Sequence, residues 1–383
     1  MVLFLHNRYR ATGGEERVVD DLLRLVRERL GEPAELLARS SDELGRGRAA
    51  LGLLRGGLDP DEVGRSVREH RARVVHAHNL QPAFGWRALA AARAAGARVV
   101  LHLHQYRLVC AIGVCFTDGE ECTRCHGRNT LPGVRLNCRG SRAESAAYAA
   151  SLALWQERMV RQADAVVVPS AFARERLREL GAPLPWERVR VLAPPVRALD
   201  AFPPAPAGVA SELASYAIVV SRLAPEKGVD VAIDACHAAG ITLVVAGDGP
   251  ERAALEARAA AGRGVAGATV RFAGRVDDAE LAELRARASI ALVPSRSAET
   301  FGLAAAEAMA AGLPVVASRV GALQELVEDD ALVPPADAVA LARAIERLAG
   351  DRAAGERGRQ RARAVCAPQV VAGALAELYD GSA

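Results

Sequence analysis

The sequence predicts an α/β protein built from two doubly wound, Rossmann-like domains. Short β-branched apolar runs suit strands that are covered on both faces, and amphipathic helical stretches alternate with them as in βαβ units. A proline-rich, aperiodic segment at residues 194–206 reads as a linker, after which the alternation restarts. At ~100–200 residues per domain, a chain of 383 residues fits two domains. One continuous Rossmann-like domain with an insertion is the alternative.

The first predicted domain covers residues 1–195. It opens with a strand at 2–6 and a glycine turn, followed by a helix at 15–30. A segment from Cys110 to Arg142, rich in Gly, Cys, Asn and Arg, fits neither strand nor helix, and we interpret it as an inserted loop. Further strands are predicted at 74–78, 99–103 and 165–168.

The second predicted domain covers residues 207–367, and a C-terminal helix at 368–383 is expected to pack back on the first domain. Ligands of such sheets bind at the carboxyl ends of the strands, so two facing domains predict a cleft. Strands are predicted at 216–220, 242–246, 269–272, 290–293 and 314–317, with helices between them, for example at 251–260 and 278–288.

Composition and charge exclude several classes of protein. With 51% hydrophobic and 25% charged residues the chain can bury a core, which excludes a disordered protein. A net charge of +3 does not indicate the strongly basic surface that is typical of nucleic-acid-binding proteins. No apolar run approaches the ~20 residues of a membrane-spanning helix. The run at 2–6 is too short for a signal peptide, so we expect a cytoplasmic protein.

Lys227 is the only lysine among 49 basic residues, which marks a position where arginine does not serve. It follows Arg222 by five residues, just after the first predicted strand of the second domain. Arginine can bind two phosphate oxygens and lysine adds a compact charge, so the pair suits a diphosphate whose leaving-group charge needs neutralising. The alternative is a solvated basic pair on a loop.

Two glutamates follow a later strand of the same domain. Glu299 lies on the loop and Glu307 lies in the helix that starts near Gly302, whose N–H groups are free. Glu299 could hold sugar hydroxyls and Glu307 ribose hydroxyls, since a lone charge in an apolar stretch needs partners. Alternatively, Glu299 caps the helix and Glu307 lies on the surface.

The turn with Gly13 and Gly14 follows the first strand and opens a helix, which lets backbone N–H groups approach an anion, although a tight connection would look the same. Histidines cluster at the ends of the next two strands. His76 and His78, and likewise His102 and His104, share a strand face. We favour action on a substrate at the strand end over metal binding.

Five of the seven cysteines lie in one segment with the spacing C-x4-C-x6-C-x2-C-x12-C. In a cytosolic protein this pattern favours metal or redox chemistry over disulfides. A structural zinc is one interpretation, with unligated or redox-labile thiols as the alternative, and Cys236 and Cys366 are read as core residues. The zinc ligands would be Cys110, Cys122, Cys125 and Cys138.

Together these motifs resemble the retaining glycosyltransferases of family 4, nucleotide-sugar-dependent enzymes with the GT-B fold. The strongest part is the Glu299-x7-Glu307 signature combined with Arg222 and Lys227, and the cysteine segment resembles that of a bacterial subgroup. The resemblance covers nearly the whole chain. It rests on GGEERVV, VVHAHN, VVLHLHQYRLVC, SRLAPEKG, GDGPER and PSRSAETFGLAAAEAMAAGLPVVAS.

The resemblance implies a role for each matching position and requires no catalytic metal or cofactor. Gln105 and His102 depart from the family pattern of aspartate and threonine, which leaves the acceptor open. By the resemblance, Gly13 and Gly14 approach the donor phosphates, and Arg222, Lys227 and the Leu303 backbone bind the diphosphate. Phe301 and Gly302 belong to the donor-binding loop, Glu299 binds the donor sugar, Glu307 binds the ribose and Val276 contacts the base. His104 lies near the reacting centre, and Glu16 faces the acceptor.

The expected activity is transfer of a sugar, with retention, from a nucleoside diphosphate sugar to an acceptor hydroxyl of a glycan, glycolipid or natural product. A sugar-nucleotide epimerase, a phosphorylase or a catalytically silent GT-B subunit are the alternatives. A nicotinamide dehydrogenase is disfavoured because no G-x-G-x-x-G follows the first strand. The arginine-bearing helix at 22–30 either packs on the sheet or rests on an anionic membrane, which would place the protein peripherally on the inner face.

Overall fold

The computed structural model describes residues 1–9, 13–201, 216–262 and 268–382. It divides the chain into two compact units. Unit 1 comprises residues 1–117, 122–195 and the C-terminal stretch from 368, and unit 2 comprises 118–121 and 196–367. Thr12 and the part of the expected linker after residue 201 lie outside the described residues.

Unit 1 contains a parallel sheet of six strands in the order β2-β1-β3-β4-β7-β8. Its strands are β1 (Val2–Arg8), β2 (Ala34–Ser40), β3 (Val74–Ala77), β4 (Arg98–His102), β7 (Ala165–Val168) and β8 (Val189–Val191). Its helices are α1 (Gly14–Arg29), α2 (Arg46–Arg55), α3 (Pro60–Glu69), α4 (Gly85–Ala94), α5 (Leu131–Arg135), α6 (Arg142–Arg161), α7 (Ala171–Glu179) and α16 (Pro368–Asp380).

The apolar runs predicted as strands form the centre of this sheet, because β1, β3, β4 and β7 are buried almost throughout. The prediction missed the two edge strands. β2 is mostly half-buried and β8 has three residues, so neither carries a continuous apolar run. Helix α16 packs within unit 1, where the Tyr379 hydroxyl lies 2.7 Å from His76 Nδ1.

The inserted segment from Cys110 to Arg142 was predicted to contain neither strand nor helix, and that prediction is wrong. Residues 116–121 form a hairpin of β5 (Phe116–Thr117) and β6 (Glu120–Glu121), and α5 follows. Gly119 at φ 82° makes the hairpin turn, and Pro132 occupies the first turn of α5. Elements this short bury little apolar surface and leave no periodic pattern.

Unit 2 contains a second parallel sheet of six strands, in the order β11-β10-β9-β12-β13-β14. Its strands are β9 (Tyr216–Val220), β10 (Thr242–Ala246), β11 (Val270–Gly274), β12 (Ala288–Val293), β13 (Val315–Ser318) and β14 (Leu332–Val333). Its helices are α8 (Ala198–Ala201), α9 (Val229–Ala238), α10 (Arg252–Ala261), α11 (Asp278–Arg287), α12 (Leu303–Ala310), α13 (Leu323–Leu326), α14 (Ala338–Leu348) and α15 (Arg352–Cys366).

The five strands predicted for the second half are confirmed, with ends shifted by at most two residues. The strand order reverses between β9 and β12, so the chain leaves these neighbours in opposite directions. Such a switch point opens a crevice at the carboxyl ends of the two strands. None of the helices among the described residues is long and apolar enough to cross a membrane.

Candidate active site

The loops that follow β9 and β12 are joined at the switch point of unit 2. The backbone N–H of Arg296 donates to the carbonyl of Glu226 at 2.8 Å. Gly228 has a φ of +64°, and a Cβ there would lie 2.1 Å from the carbonyl oxygen of Pro294, so only glycine allows this approach. The contact holds the segment with Arg222 and Lys227 beside the segment with Glu299.

Lys227 and Glu299 form an ion pair across these loops. Lys227 Nζ lies 2.6 Å from Glu299 Oε1, and Ser295 Oγ donates to the same oxygen at 2.7 Å. Burial pushes the pKa of Glu299 up, but the Lys227 charge and both hydrogen bonds outweigh it, so the pKa lies below its ordinary value. Glu299 is therefore an ionised carboxylate at neutral pH. It does not cap the following helix, since Gly302 is the N-cap residue.

Arg222 lies in the same crevice and pairs with Glu226, four residues on. The Arg222 side chain is 55% exposed, whereas that of Glu226 is only 9% exposed. Arg222 and Lys227 are thus each matched by a carboxylate. Glu226 and Ser295 were not among the residues predicted for this site. The i,i+4 spacing of Arg222 and Glu226 was a usable signal for the former, while Ser295 carried none.

Helix α12 begins at the crevice with Gly302 at φ 98°, and Leu303 supplies its first N–H group. One turn further, Glu307 Oε2 accepts from Arg285 Nη2 at 2.5 Å. The Glu307 side chain is 12% exposed, so the alternative of a surface residue is wrong. Arg285 lies in α11 and had no distinguishing pattern in the sequence.

The two other residues implied for unit 2 lie in loops, Phe301 after β12 and Val276 after β11. Phe301 is buried directly before Gly302. Val276 is half-buried and precedes Asp277, which caps α11 through its side chain. Their positions are compatible with the implied roles, which stay predictions.

The N-terminus of α1 in unit 1 is in contact with the side chain of Glu16 from the same helix. Glu16 accepts from the N–H of Gly13 at 2.8 Å and from the N–H of Tyr9 at 3.1 Å. Burial raises the pKa of Glu16, but the nearby His6 ring and the hydrogen bonds from the N–H groups of Tyr9 and Gly13 lower it more. Gly14 is the first residue of α1. In this structure the Glu16 carboxylate accepts from the N–H of Gly13, and the binding of donor phosphates by Gly13 and Gly14 stays a prediction.

The histidines at the ends of β3 and β4 form a stack in which His104 is half-buried and the other three are buried. His76 Nε2 lies 3.2 Å from His102 Nδ1, and His78 Nδ1 lies 2.8 Å from His104 Nε2. Burial and the neighbouring histidines lower the pKa values, to about 3 for His76 and for His104. The nitrogens of His76, His78 and His102 lie within 4.8 Å of one another, yet both His76 nitrogens have hydrogen-bond partners. Stacked neutral imidazoles describe the cluster better than metal ligands.

A polar cavity of unit 1 lies at the end of this stack. Glu15 accepts there from the Tyr9 hydroxyl at 2.7 Å and from Gln105 Nε2 at 3.0 Å, and the Arg107 guanidinium lies 4.7 Å from the Tyr9 ring centre. Burial raises the pKa of Glu15. Several buried lining atoms have no hydrogen-bond partner among the described residues: His78 Nε2, Gln81 Oε1, Arg107 Nε and Gln156 Oε1.

A second cavity of unit 1 gathers the five clustered cysteines. It is lined by Cys110, Cys115, Cys122, Cys125 and Cys138, and none of them is in a disulfide. The four thiols assigned to zinc are therefore brought to one place, together with Cys115. Cys236 and Cys366 are buried in unit 2, where they pack as core residues.

Both halves of the chain match known family sequences. Residues 2–195 match the glycosyl transferase 4-like domain, and residues 214–351 match the glycosyl transferases group 1. The chain is 40% identical over 174 residues to a glycogen synthase of Mycobacterium tuberculosis, covering 42% of this chain and 41% of the relative. It is 44% identical over 115 residues to a GDP-mannose-dependent phosphatidylinositol dimannoside mannosyltransferase of the same species, covering 28% of each. The chain thus spans less than half the length of these curated relatives.

Solved structures extend the similarity over the whole chain. Sucrose-phosphate synthase from Thermosynechococcus elongatus superposes with a TM-score of 0.71 at 20% identity, covering 100% of this chain and 98% of that one. Anabaena HepE, in complex with UDP and glucose, has a TM-score of 0.66 at 20% identity, covering 99% of each chain. These likenesses show the fold, which is GT-B with a Rossmann-like sheet in each unit. The matched family sequence over residues 2–195 places the chain in the glycosyl transferase 4-like family.

Proposed function

We propose that the protein is a retaining glycosyltransferase that moves a sugar from a nucleoside diphosphate sugar to an acceptor hydroxyl. One observation carries the proposal: the crevice of unit 2 joins the Lys227–Glu299 pair, the N-terminus of α12 and the half-buried Glu307 within two adjoining loops and one helix. A cation, a hydroxyl-accepting carboxylate and free N–H groups together match the chemistry of a sugar diphosphate.

Lys227 would stabilise the leaving group. Its ammonium lies beside the Glu299 carboxylate, so a diphosphate oxygen entering the crevice meets a positioned cation. Arg222 is more than half exposed and can turn its guanidinium from Glu226 towards a phosphate in bidentate fashion. The N–H groups at the start of α12 add donors at the same place. Together these groups offset the negative charge that grows as the glycosidic bond to the diphosphate breaks.

The two glutamates would hold hydroxyls at either end of the diphosphate. Glu299 is ionised, so it accepts hydrogen bonds from the hydroxyls of the donor sugar. Glu307 is held by Arg285 through one oxygen, which orients the carboxylate for the ribose. In the mechanism that the family resemblance implies, a departing phosphate oxygen takes the acceptor's proton and the anomeric configuration is kept.

The acceptor is proposed to bind in the polar cavity of unit 1. The unpartnered atoms of Gln81, Gln156 and Arg107 are buried, and such atoms are costly unless a ligand or water satisfies them. Their mixture of donors and acceptors suits a hydroxyl-rich molecule. Gln105 donates to Glu15 in this cavity, so the departure from the family aspartate falls where acceptor identity is decided.

Two relatives support a nucleotide sugar as donor: the mannosyltransferase is named as GDP-mannose-dependent, and HepE was solved with UDP and glucose. The base and the sugar stay open. The first test is thermal stabilisation by UDP, GDP, ADP and TDP. A nucleotide at 100 times its Kd should add ~2.7 kcal/mol to the free energy of unfolding. Stabilisation by one nucleotide would identify the donor class.

Two variants in unit 2, one in the proposed site and one control, extend the nucleotide test. Glu307→Gln should weaken nucleotide binding on the order of tenfold or more, because a buried charged hydrogen bond contributes about 1.5–3 kcal/mol. Glu328→Gln removes a carboxylate that pairs with Arg357 on the surface, so it should bind as the wild type does. If no nucleotide stabilises the folded protein, the donor site is refuted. Binding without turnover of any nucleotide sugar with common acceptors would favour a silent subunit.

A further inference from the structure

The cysteine cavity of unit 1 plays no part in the proposed transfer. Its five thiols come from a stretch of 29 residues, 110–138, here called the cysteine segment. Cys122 and Cys125 have the C-x2-C spacing that lets two neighbouring thiolates bind one metal ion.

Backbone hydrogen bonds bring the thiols together. The N–H of Cys122 donates to the carbonyl of Cys115 at 2.7 Å, and the N–H of Cys138 donates to that of Gly133 at 3.1 Å. A Cβ on Gly133 would lie 3.7 Å from the Cys125 sulfur, so a larger side chain there would enter the cavity. The cavity is thus formed by the path of the chain around the thiols.

The exposure of the thiols argues against simple core packing. Cysteines that serve only as core residues are among the most buried of all residues, as Cys236 and Cys366 are in unit 2. Cys110, Cys122 and Cys138 are instead half-buried at the edge of the cavity, where an ion can reach them. Partly exposed thiols that line one cavity fit metal binding.

We propose that Cys110, Cys122, Cys125 and Cys138 bind one structural Zn²⁺. Four thiolates complete the tetrahedral shell of a structural zinc site, and the thiol protons are released to solvent on binding. Cys115 is not assigned as a zinc ligand, because it is fully buried and its backbone has a φ of 50°. The Cys115 thiol hydrogen-bonds to the Cys110 sulfur, so Cys115 belongs to the outer shell of a Cys110 ligand.

Zinc binding would bring the sulfurs of the cysteine segment closer together. The histidine group is the one set, within the described part of the chain, whose ligand atoms lie within 4.8 Å of one another. The sulfurs must therefore move together to meet an ion at ~2.3 Å from each. Gly113, in the turn after Cys110, lies against Gln105, since a Cβ there would be 2.5 Å from Gln105 Oε1. Metal loss should thus disturb the acceptor cavity and leave the nucleotide crevice of unit 2 unchanged.

The test is the metal content of the full chain after dialysis against metal-free buffer, measured by mass spectrometry. We expect about one zinc per chain in the wild type. Cys122→Ser and Cys138→Ser should reduce zinc retention at least about tenfold, and Cys115→Ser, the matched control, should keep it. Circular dichroism and the thermal unfolding transition without nucleotide show whether each variant is folded, so loss of metal and failure of the proposed function are separate outcomes.

Cobalt gives a second readout that needs no variant. The chelated wild type titrated with Co²⁺ should show a thiolate-to-cobalt charge-transfer band and the d–d absorption of a tetrahedral site, both reaching a plateau at about one equivalent. A wild type that retains no zinc and shows no such spectrum would overturn the proposal. Full retention of zinc by both Cys122→Ser and Cys138→Ser would also overturn it.

Discussion

Lys227 shows how one side chain can be specified by its surroundings. Its ammonium lies 2.6 Å from Glu299 Oε1 and its side chain is 26% exposed, in a chain whose other basic residues are all arginine. An arginine would need room for a planar guanidinium and would present several donors where one compact charge is held. This geometry gives a physical reason for the only lysine.

Lys227→Ala should lower kcat/KM on the order of 10²-fold or more, the scale of one lost electrostatic stabiliser. Lys227→Arg should recover little of this loss, because the guanidinium cannot take the position of the ammonium. The measurement is steady-state transfer with the donor that the thermal-shift test identifies. Arg319→Ala, which removes an exposed ion pair with Asp329, is the control and should stay near wild type. Near-wild-type turnover of Lys227→Ala would refute the role of Lys227.

At the scale of the element, helix α12 owes its position to backbone geometry. Gly302 has a φ of +98°, and an added Cβ would lie 2.5 Å from Leu323 Cδ2. Gly321 supports the same loop, since its backbone approaches Glu299 closely and Ala322 N–H donates to the Glu299 carbonyl at 2.9 Å. The N-terminus of α12 and the Glu299 loop are thus positioned together.

Gly302→Ala and Gly312→Ala form a matched pair for this element. Both glycines have positive φ, +98° and +77°, but a Cβ on Gly312 meets no atom within 4 Å. Gly312→Ala should cost about 1–2 kcal/mol from the left-handed backbone alone and leave nucleotide affinity unchanged. Gly302→Ala should cost more and weaken nucleotide binding, because Leu323 or α12 must move. Thermal unfolding and nucleotide titration compare the two, and equal effects would contradict the argument.

At the scale of the whole molecule, the histidine stack makes the stability of unit 1 depend on pH. The folded unit keeps His76, His78, His102 and His104 neutral, because burial and neighbouring histidines lower their pKa values. In the unfolded chain each histidine takes up a proton near pH ~6.5. The unfolded state therefore binds more protons below that pH, and unit 1 loses stability as the pH falls from about 6.5 towards 3.

Each such histidine should contribute up to ~1.4 kcal/mol per pH unit within this window. The raised pKa of Glu15 acts in the opposite direction, but it is one group against four. Trp86, Trp155 and Trp186 all lie in unit 1, so tryptophan fluorescence in urea follows that unit. His70→Gln, at an exposed histidine, is the control and should leave the slope unchanged. A free energy of unfolding that is constant between pH 6.5 and 5 would contradict the prediction.

The sequence by itself determined the class of fold and the central strands of both sheets, and it placed the predicted site residues in the loops after those strands. These features are local: a continuous apolar run marks a buried parallel strand, and the residues that follow it lie at its carboxyl end. The edge strands β2 and β8 were missed because partial burial and short length leave no such run.

Only the tertiary structure decided which of these residues meet. Lys227 pairs with Glu299 across 72 positions, His76 meets Tyr379 across 303, and Arg285 reaches Glu307 from another helix. Each pairing depends on which strands are neighbours and on how a helix crosses the sheet. Strand order and helix crossing are set by packing over the whole chain, and no local pattern of residues encodes them.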